Sequence, residues 1–164
     1  MRAHIVTSVL ALALVSPLVL IAPSHASTKT DHVITLTASG ATLGVSDLNA
    51  PGPTPGDIRT LSLALTNMKN QPAGRAEIVQ TLTRQGSASG TAVKVVVLTL
   101  PRGIITGIGQ TEFANFTDPQ GRPRDLIERL AITGGTGAYR GASGQIDVEV
   151  LPNFSSRWTI SLDR

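Results

Sequence analysis

Five charged side chains stand inside or beside stretches where apolar and polar residues alternate, and they are the candidates for chemistry. Asp57 and Arg59 flank the start of one such stretch. Glu77 sits opposite an apolar face that carries Ala76, Ile78 and Leu82. Glu112 is in line with Ile104, Thr106 and Ile108, so it shares their face. A carboxylate on an apolar face requires an explanation, because burying a charge without a partner is costly. Arg157 lies opposite the face that carries Trp158. Inside a barrel or sandwich, one buried acid with a tuned pKa could protonate or orient a small molecule, with an arginine to hold its polar end. For each of the five, a solvated surface position is the competing reading.

Other chemistries find no residues to carry them. The chain has no cysteine, which excludes thiolate catalysis and Cys-ligated metal. Its three histidines are His4, His25 and His32. The first two fall in an N-terminal targeting segment, and His32 is expected as a solvated residue at the first strand's start. A single histidine does not support a Ser-His-Asp hydrolase or a multi-histidine metal site. The run Gly135-Thr-Gly137-Ala-Tyr-Arg140 puts arginine where a dinucleotide fingerprint needs its third glycine, and no long helical pattern follows. No cofactor and no metal are therefore expected.

The N-terminus reads as an export signal. Arg2 and His4 precede the apolar run from Ile5 to Ala22, and Ser24-His25-Ala26 is a small-x-small cleavage site. Thr7, Ser8, Ser16 and Pro17 interrupt the run, which argues against a spanning helix and a stable membrane anchor. Cleavage after Ala26 would leave residues 27–164 as one domain, secreted or periplasmic. Removing Arg2 from the 14 basic residues leaves 13 against 11 acidic ones, a mature net charge of +2. The longest basic cluster, Arg122-Pro-Arg124, is too short for a nucleic-acid stripe. Arginine outnumbers lysine 11 to 3, a bias of high-GC bacterial chains. The sequons at Asn115 and Asn153 carry no meaning in such a source.

The elements that must position the candidates are strands. After a tail at Ser27–Thr30, His32–Thr37 alternates as a first strand, and Ala38–Asp57 reads as a long loop rich in Gly and Pro. Strands follow at Ile58–Asn67 and Arg75–Arg84, with a turn at Met68–Gly74 and a hairpin loop at Gln85–Gly90. Ala92–Leu100 is apolar on both faces, the pattern of a buried or interface strand. Ile104–Phe116 continues with bends or bulges at Gly107 and Gly109. A loop at Thr117–Pro123, strands at Leu126–Thr133 and Ile146–Val150, a turn at Pro152–Asn153 and a last strand at Arg157–Leu162 complete the chain. About eight short strands without a long helix point to an all-β antiparallel sandwich or closed barrel.

Between Leu130 and Val150 stands a glycine-rich corner with Gly134, Gly135, Gly137, Gly141 and Gly144. Glycine takes positive φ freely and lets another backbone come close, so the corner reads as structural, with Tyr139 as a plug beside it. Ile132-Thr-Gly-Gly-Thr-Gly-Ala-Tyr-Arg-Gly-Ala-Ser-Gly144 resembles the glycine signature of the dirigent and allene oxide cyclase superfamily. Pro55-Gly-Asp-Ile58 and Leu100-Pro-Arg-Gly-Ile-Ile-Thr-Gly-Ile-Gly109 echo two further segments of that group. The resemblance implies an eight-stranded, calycin-like barrel, which at that size just holds one small ligand. It implies no particular site residues.

Three functions stay open. A cyclase, isomerase or stereodirecting barrel would fold a reactive apolar substrate into one conformation and carry one or two buried charges. A binder of a small apolar molecule would have a cavity without a buried acid. A filled barrel would assemble as a dimer or trimer through a face such as Ala92–Leu100. Whether Glu112 and Glu77 point into the barrel discriminates between them.

Overall fold

The computed structural model describes residues 32–86, 89–113, 127–151 and 155–163. Eight strands follow one another: β1 (His32–Ser46), β2 (Ile58–Thr66), β3 (Pro72–Gln85), β4 (Gly90–Leu100), β5 (Gly103–Phe113), β6 (Ile127–Gly135), β7 (Ser143–Val150) and β8 (Ser156–Asp163). Each pairs antiparallel with the next, and β8 pairs with β1 from His32↔Leu162 to Ala38↔Ser156, so the sheet closes into a barrel. Among the described residues the helical content is one 3-10 turn, Gly137–Tyr139. The expected all-β closed barrel of eight strands is the observed fold.

Closure follows from period-two alternation, because in a barrel one phase of every strand faces the lumen. In β4 the phase of Ala92, Lys94, Val96, Leu98 and Leu100 is buried. The opposite phase is not covered within the chain: Val93 and Val95 stay exposed, and Val95 lies between Val79 and Ile108, which are also exposed. The expectation that β4 is covered on both faces thus holds for one face of the single chain.

An up-and-down order gives the barrel two unlike ends. The tight end gathers the β2–β3 and β4–β5 turns, the glycine corner between β6 and β7, the start of β1 and the end of β8. Its lumen is apolar, filled by Leu65, Leu98, Ile105, Ile146 and Ile160 among others. The loop end carries the connections that follow β1, β3, β5 and β7.

The glycine corner fastens the tight end. Thr136 donates its N–H to the Ile104 carbonyl at 2.8 Å and Ala138 donates to the Arg102 carbonyl at 2.9 Å. The Thr136 hydroxyl accepts from the Ile104 N–H at 3.1 Å. The corner therefore lies on the β4–β5 turn. At φ +60°, Gly137 presses so close to the Arg102 carbonyl that a Cβ would collide with it. Tyr139 is half-buried and packs against the core, as a plug would.

Three sequence expectations change. β1 continues through Ala38–Ser46, where a loop was expected, so that loop shrinks to residues 47–57. Beyond Ala38 this strand pairs with β2 alone, with an irregularity between Ser39 and Thr42 and Gly40 at φ +66°. A ribbon that buries little needs no apolar alternation, so its sequence looks like loop. β3 begins at Pro72, inside the expected turn. His32 is half-buried rather than solvated, and its Nδ1 is buried without a hydrogen-bond partner among the described residues. The export segment Met1–Ala26, the tail Ser27–Thr30, Leu126, the loop Thr117–Pro123 with Arg122 and Arg124, and the turn Pro152–Asn153 lie outside the described residues, as do the Asn115 and Asn153 sequons.

Candidate functional site

The interior changes character toward the loop end. Among the described residues, the buried polar side chains are Asp57, Arg59, Gln80, Thr91, Lys94, Thr111 and Glu128. They come from the start of β2, β4 and β6 and the end of β3 and β5, which the topology brings to one level near the loop end. A small apolar cluster of Leu82, Ala92 and Phe113 lies beside them, and the large apolar core lies on the other side.

Two linked groups make up this polar layer. Arg59 Nε donates to Gln80 Oε1 at 2.7 Å, and the Arg59 guanidinium stands 4.4 Å from the centroid of the Phe113 ring. That stacking uses the attraction of a cation for an aromatic face. The second group is an ion pair between Lys94 Nζ and Glu128 Oε2, while Glu128 Oε1 accepts from the Thr111 hydroxyl. Both members of the pair are buried. Burial pushes the Lys94 ammonium below its ordinary value of 10.5, and the nearby Arg59 charge pushes the same way. Glu128 opposes both through its charge and its hydrogen bond. Desolvating such a pair costs several kcal/mol per ion, about what a close, well-made contact returns.

The barrel wall opens beside this pair. The β5–β6 register runs from Ile105↔Gly135 to Gly109↔Leu130 and stops. Above it β5 remains paired with β4 as far as Phe113, and β6 with β7 as far as Ile127. The two strands part and leave a cleft of about 290 Å³, lined by Gln110, Thr111, Glu112, Ile127, Glu128 and Arg129. Its inner residues are Thr111 and Glu128, so the hydroxyl–carboxylate contact spans the parted strands where backbone pairing has ended.

The five candidates from sequence separate into two sets. Arg59 faces the lumen and belongs to the layer. Asp57 is buried above it but serves the loop. It accepts from the Thr54 and Leu48 N–H groups at 2.7 and 3.0 Å and from the Thr54 hydroxyl at 3.3 Å. Those N–H donors, Thr54 first, hold its carboxyl below the usual 3.8. Glu77 lies outside the barrel, bonded to the Ser62 hydroxyl and paired with Arg75. Arg157 is also outside, paired with Glu149 at 2.9 Å. Glu112 does share the face of Ile104 and Ile108, but that face is the outer one, with Ile108 exposed. It reaches only the rim of the cleft.

Sequence reasoning missed Lys94, Gln80, Thr111 and Glu128 as site residues. The signal was phase. Lys94 is in step with Ala92, Val96 and Leu98, and Glu128 with Leu130 and Ile132. A charge in step with buried apolar residues points inward with them. Glu112 and Glu77 do face outward, yet the interior holds a different acid.

No family model matches the sequence, and no curated protein matches it. Solved structures share its fold. A pyocyanin demethylase superposes with a TM-score of 0.64 at 20% identity, covering 80% of this chain and 99% of that one. AbnU, described as an exo-specific intermolecular Diels-Alderase, gives 0.58 at 19% identity, covering 82% and 98%. The pterocarpan synthase dirigent protein GePTS1 gives 0.53 at 15% identity, covering 81% and 83%. The chain thus shares its barrel with cyclase and dirigent proteins.

Proposed function

We propose that the barrel admits a small, largely apolar molecule at its loop end and directs its cyclisation or stereochemistry. The cleft between β5 and β6 receives the molecule, with Ile127 at its rim, and the polar layer holds one oxygen or other acceptor in a fixed place. Lys94 and Arg59 supply donors to that acceptor, and Glu128 supplies a base within reach of the same space. Fixing a flexible substrate in a reactive conformation removes an entropic barrier, and donors aimed at developing negative charge lower the rest.

The observation that carries this reading is the layer of Arg59, Gln80, Lys94, Thr111 and Glu128 inside an otherwise apolar barrel. A barrel filled only for stability is served as well by apolar side chains of similar volume, because replacing a buried ion pair that way is often neutral or stabilising. Ionisable groups grouped in a low-dielectric interior are a mark of functional sites. The same barrel serves cyclisation and demethylation in the solved structures named above, which supports small-molecule chemistry as the class. The proposal extends to location: residues 1–26 direct export and are removed, leaving the barrel outside the cytoplasm.

Fluorescence titration with anilinonaphthalene sulfonate tests the reading on protein with native near-ultraviolet circular dichroism. The expected result is saturable binding of one probe per barrel, weakened about tenfold or more by Arg59→Met, since hydrogen bonds to charged groups contribute at that scale. Native mass spectrometry of protein from its own host should show a bound small molecule and a mass starting at Ser27. A bare mass together with no saturable probe binding would overturn the reading.

A further inference from the structure

Lys94 carries chemistry that holding an acceptor does not use. We propose that its amine is a covalent site, condensing with the aldehyde or ketone of a small, largely apolar carbonyl compound to form a Schiff base. This inference rests on the proposed function, because the interior must first admit the molecule.

Three observations converge on it. Lys94 points into the lumen in step with the apolar Ala92 and Val96 and is 6% exposed, so its amine is removed from water. Arg59 acts on it as a second cation, and Glu128 touches its nitrogen directly. Removal from water and a neighbouring cation both free a lysine amine for attack on carbonyls. Finally, the cleft between β5 and β6 is lined by Thr111 and Glu128, the partner of Lys94, so a carbonyl compound would approach the amine from the Glu128 side.

The step balances with these groups alone. The Lys94 ammonium passes one proton to Glu128 along their existing hydrogen bond. The neutral amine then adds to the carbonyl carbon, and the C=O π pair moves to oxygen. A second proton shifts from nitrogen to that oxygen, and Glu128 returns the first to it. The oxygen leaves as water and the C=N bond forms. The third proton stays on the imine nitrogen, which remains paired with Glu128. Thr111 holds the other carboxylate oxygen, so the carboxylate keeps one orientation through both transfers. No oxidant or reductant enters. For a conjugated carbonyl, the cation so formed withdraws electrons from the π system, which is how such a bond would promote cyclisation.

The test uses acetylacetone, a diketone that converts a reactive amine into an enaminone with a near-ultraviolet band. The chain offers Lys29, Lys69 and Lys94, and Lys69 is exposed. Peptide mapping of the intact wild-type protein should place the label on Lys94 at least about tenfold faster than on Lys69, the advantage of an activated over a solvated amine. Lys69→Arg should keep the fast growth of the band, and Lys94→Arg should remove it and leave only the slow labelling of solvated amines. Protein that binds anilinonaphthalene sulfonate but takes the label only at Lys69, Lys29 or its amino terminus overturns the covalent site and leaves the proposed function standing. Absence of probe binding defeats the proposed function, and this inference with it.

Discussion

Lys94 and Glu128 meet across the lumen although they stand on β4 and β6, with β5 between them. The β5 residue opposite Lys94 is Gly109, which has no side chain to obstruct the crossing. Gly109 also lies against β6: a Cβ there would sit 2.7 Å from the Arg129 carbonyl oxygen, closer than backbone tolerates. Gly109→Ala should therefore cost about 1–3 kcal/mol, the usual range for overpacking. Urea unfolding measures it. A cost near zero would mean that β5 and β6 separate freely at this level.

Removing one member of the buried pair leaves the other without its partner. Lys94→Met should destabilise by about 3–5 kcal/mol. The double variant Lys94→Met with Glu128→Gln removes both charges and keeps a hydrogen-bonding group beside Thr111. It should recover at least about 2 kcal/mol of that loss, a coupling that a double-mutant cycle isolates. A loss in the double variant equal to the sum of the two single losses would show that the two side chains do not depend on each other.

The charges outside the barrel should behave differently. Glu77 and Arg157 form exposed ion pairs with Arg75 and Glu149, and such pairs contribute about 0–1 kcal/mol because solvent screens them. Glu77→Gln and Arg157→Gln should each stay within that range. Neither should alter probe affinity, since neither side chain reaches the lumen. An effect on affinity as large as that of Arg59→Met would relocate the site to the outer surface.

The strands were legible because their alternation has period two and their turns carry Gly and Pro. The all-β antiparallel class and the boundaries of β2 and β8 to within a residue or so follow from that pattern, while the choice of a closed barrel over a sandwich rested on the resemblance of the glycine signature. The second half of β1 was not legible, since a ribbon paired on one side needs no apolar phase. The site was half legible. Arg59 stood out at a strand start, but Glu112 drew attention because it shares a face with two isoleucines, and that face turned out to be the outside of the barrel. Alternation says which residues share a face. It does not say which face is inward when both are apolar, as in β4 and β5. The partner strands decide that, and only closure makes them known.

Two glycines of the corner separate conformation from crowding. Gly141 has φ +71° and a Cβ there would meet nothing within 4 Å. Gly137 has a similar φ of +60°, but a Cβ would strike the Arg102 carbonyl. Gly141→Ala should cost only the left-handed backbone term, about 1–2 kcal/mol. Gly137→Ala should cost more, by at least about 1 kcal/mol, since the β4–β5 turn must also shift. Thermal or urea unfolding of the two variants compares them directly, and equal costs would show that the turn yields without penalty.

Asp57 sets the acid limit of the loop between β1 and β2. Its folded-state carboxyl is held below 3.8 by the Thr54 and Leu48 N–H groups, while in the unfolded chain it returns to the ordinary value. Below 3.8 the unfolded state therefore binds more protons than the folded one, and stability falls as pH falls through the folded value. Asp57→Asn keeps one acceptor but loses the charge. It should be less stable than wild type at neutral pH, and the gap should narrow as pH drops through the range below 3.8. Denaturant unfolding at a series of pH values measures the gap. A difference constant down to the most acid point would mean that the carboxylate's charge contributes nothing and that the loop is held by the shape of the side chain alone.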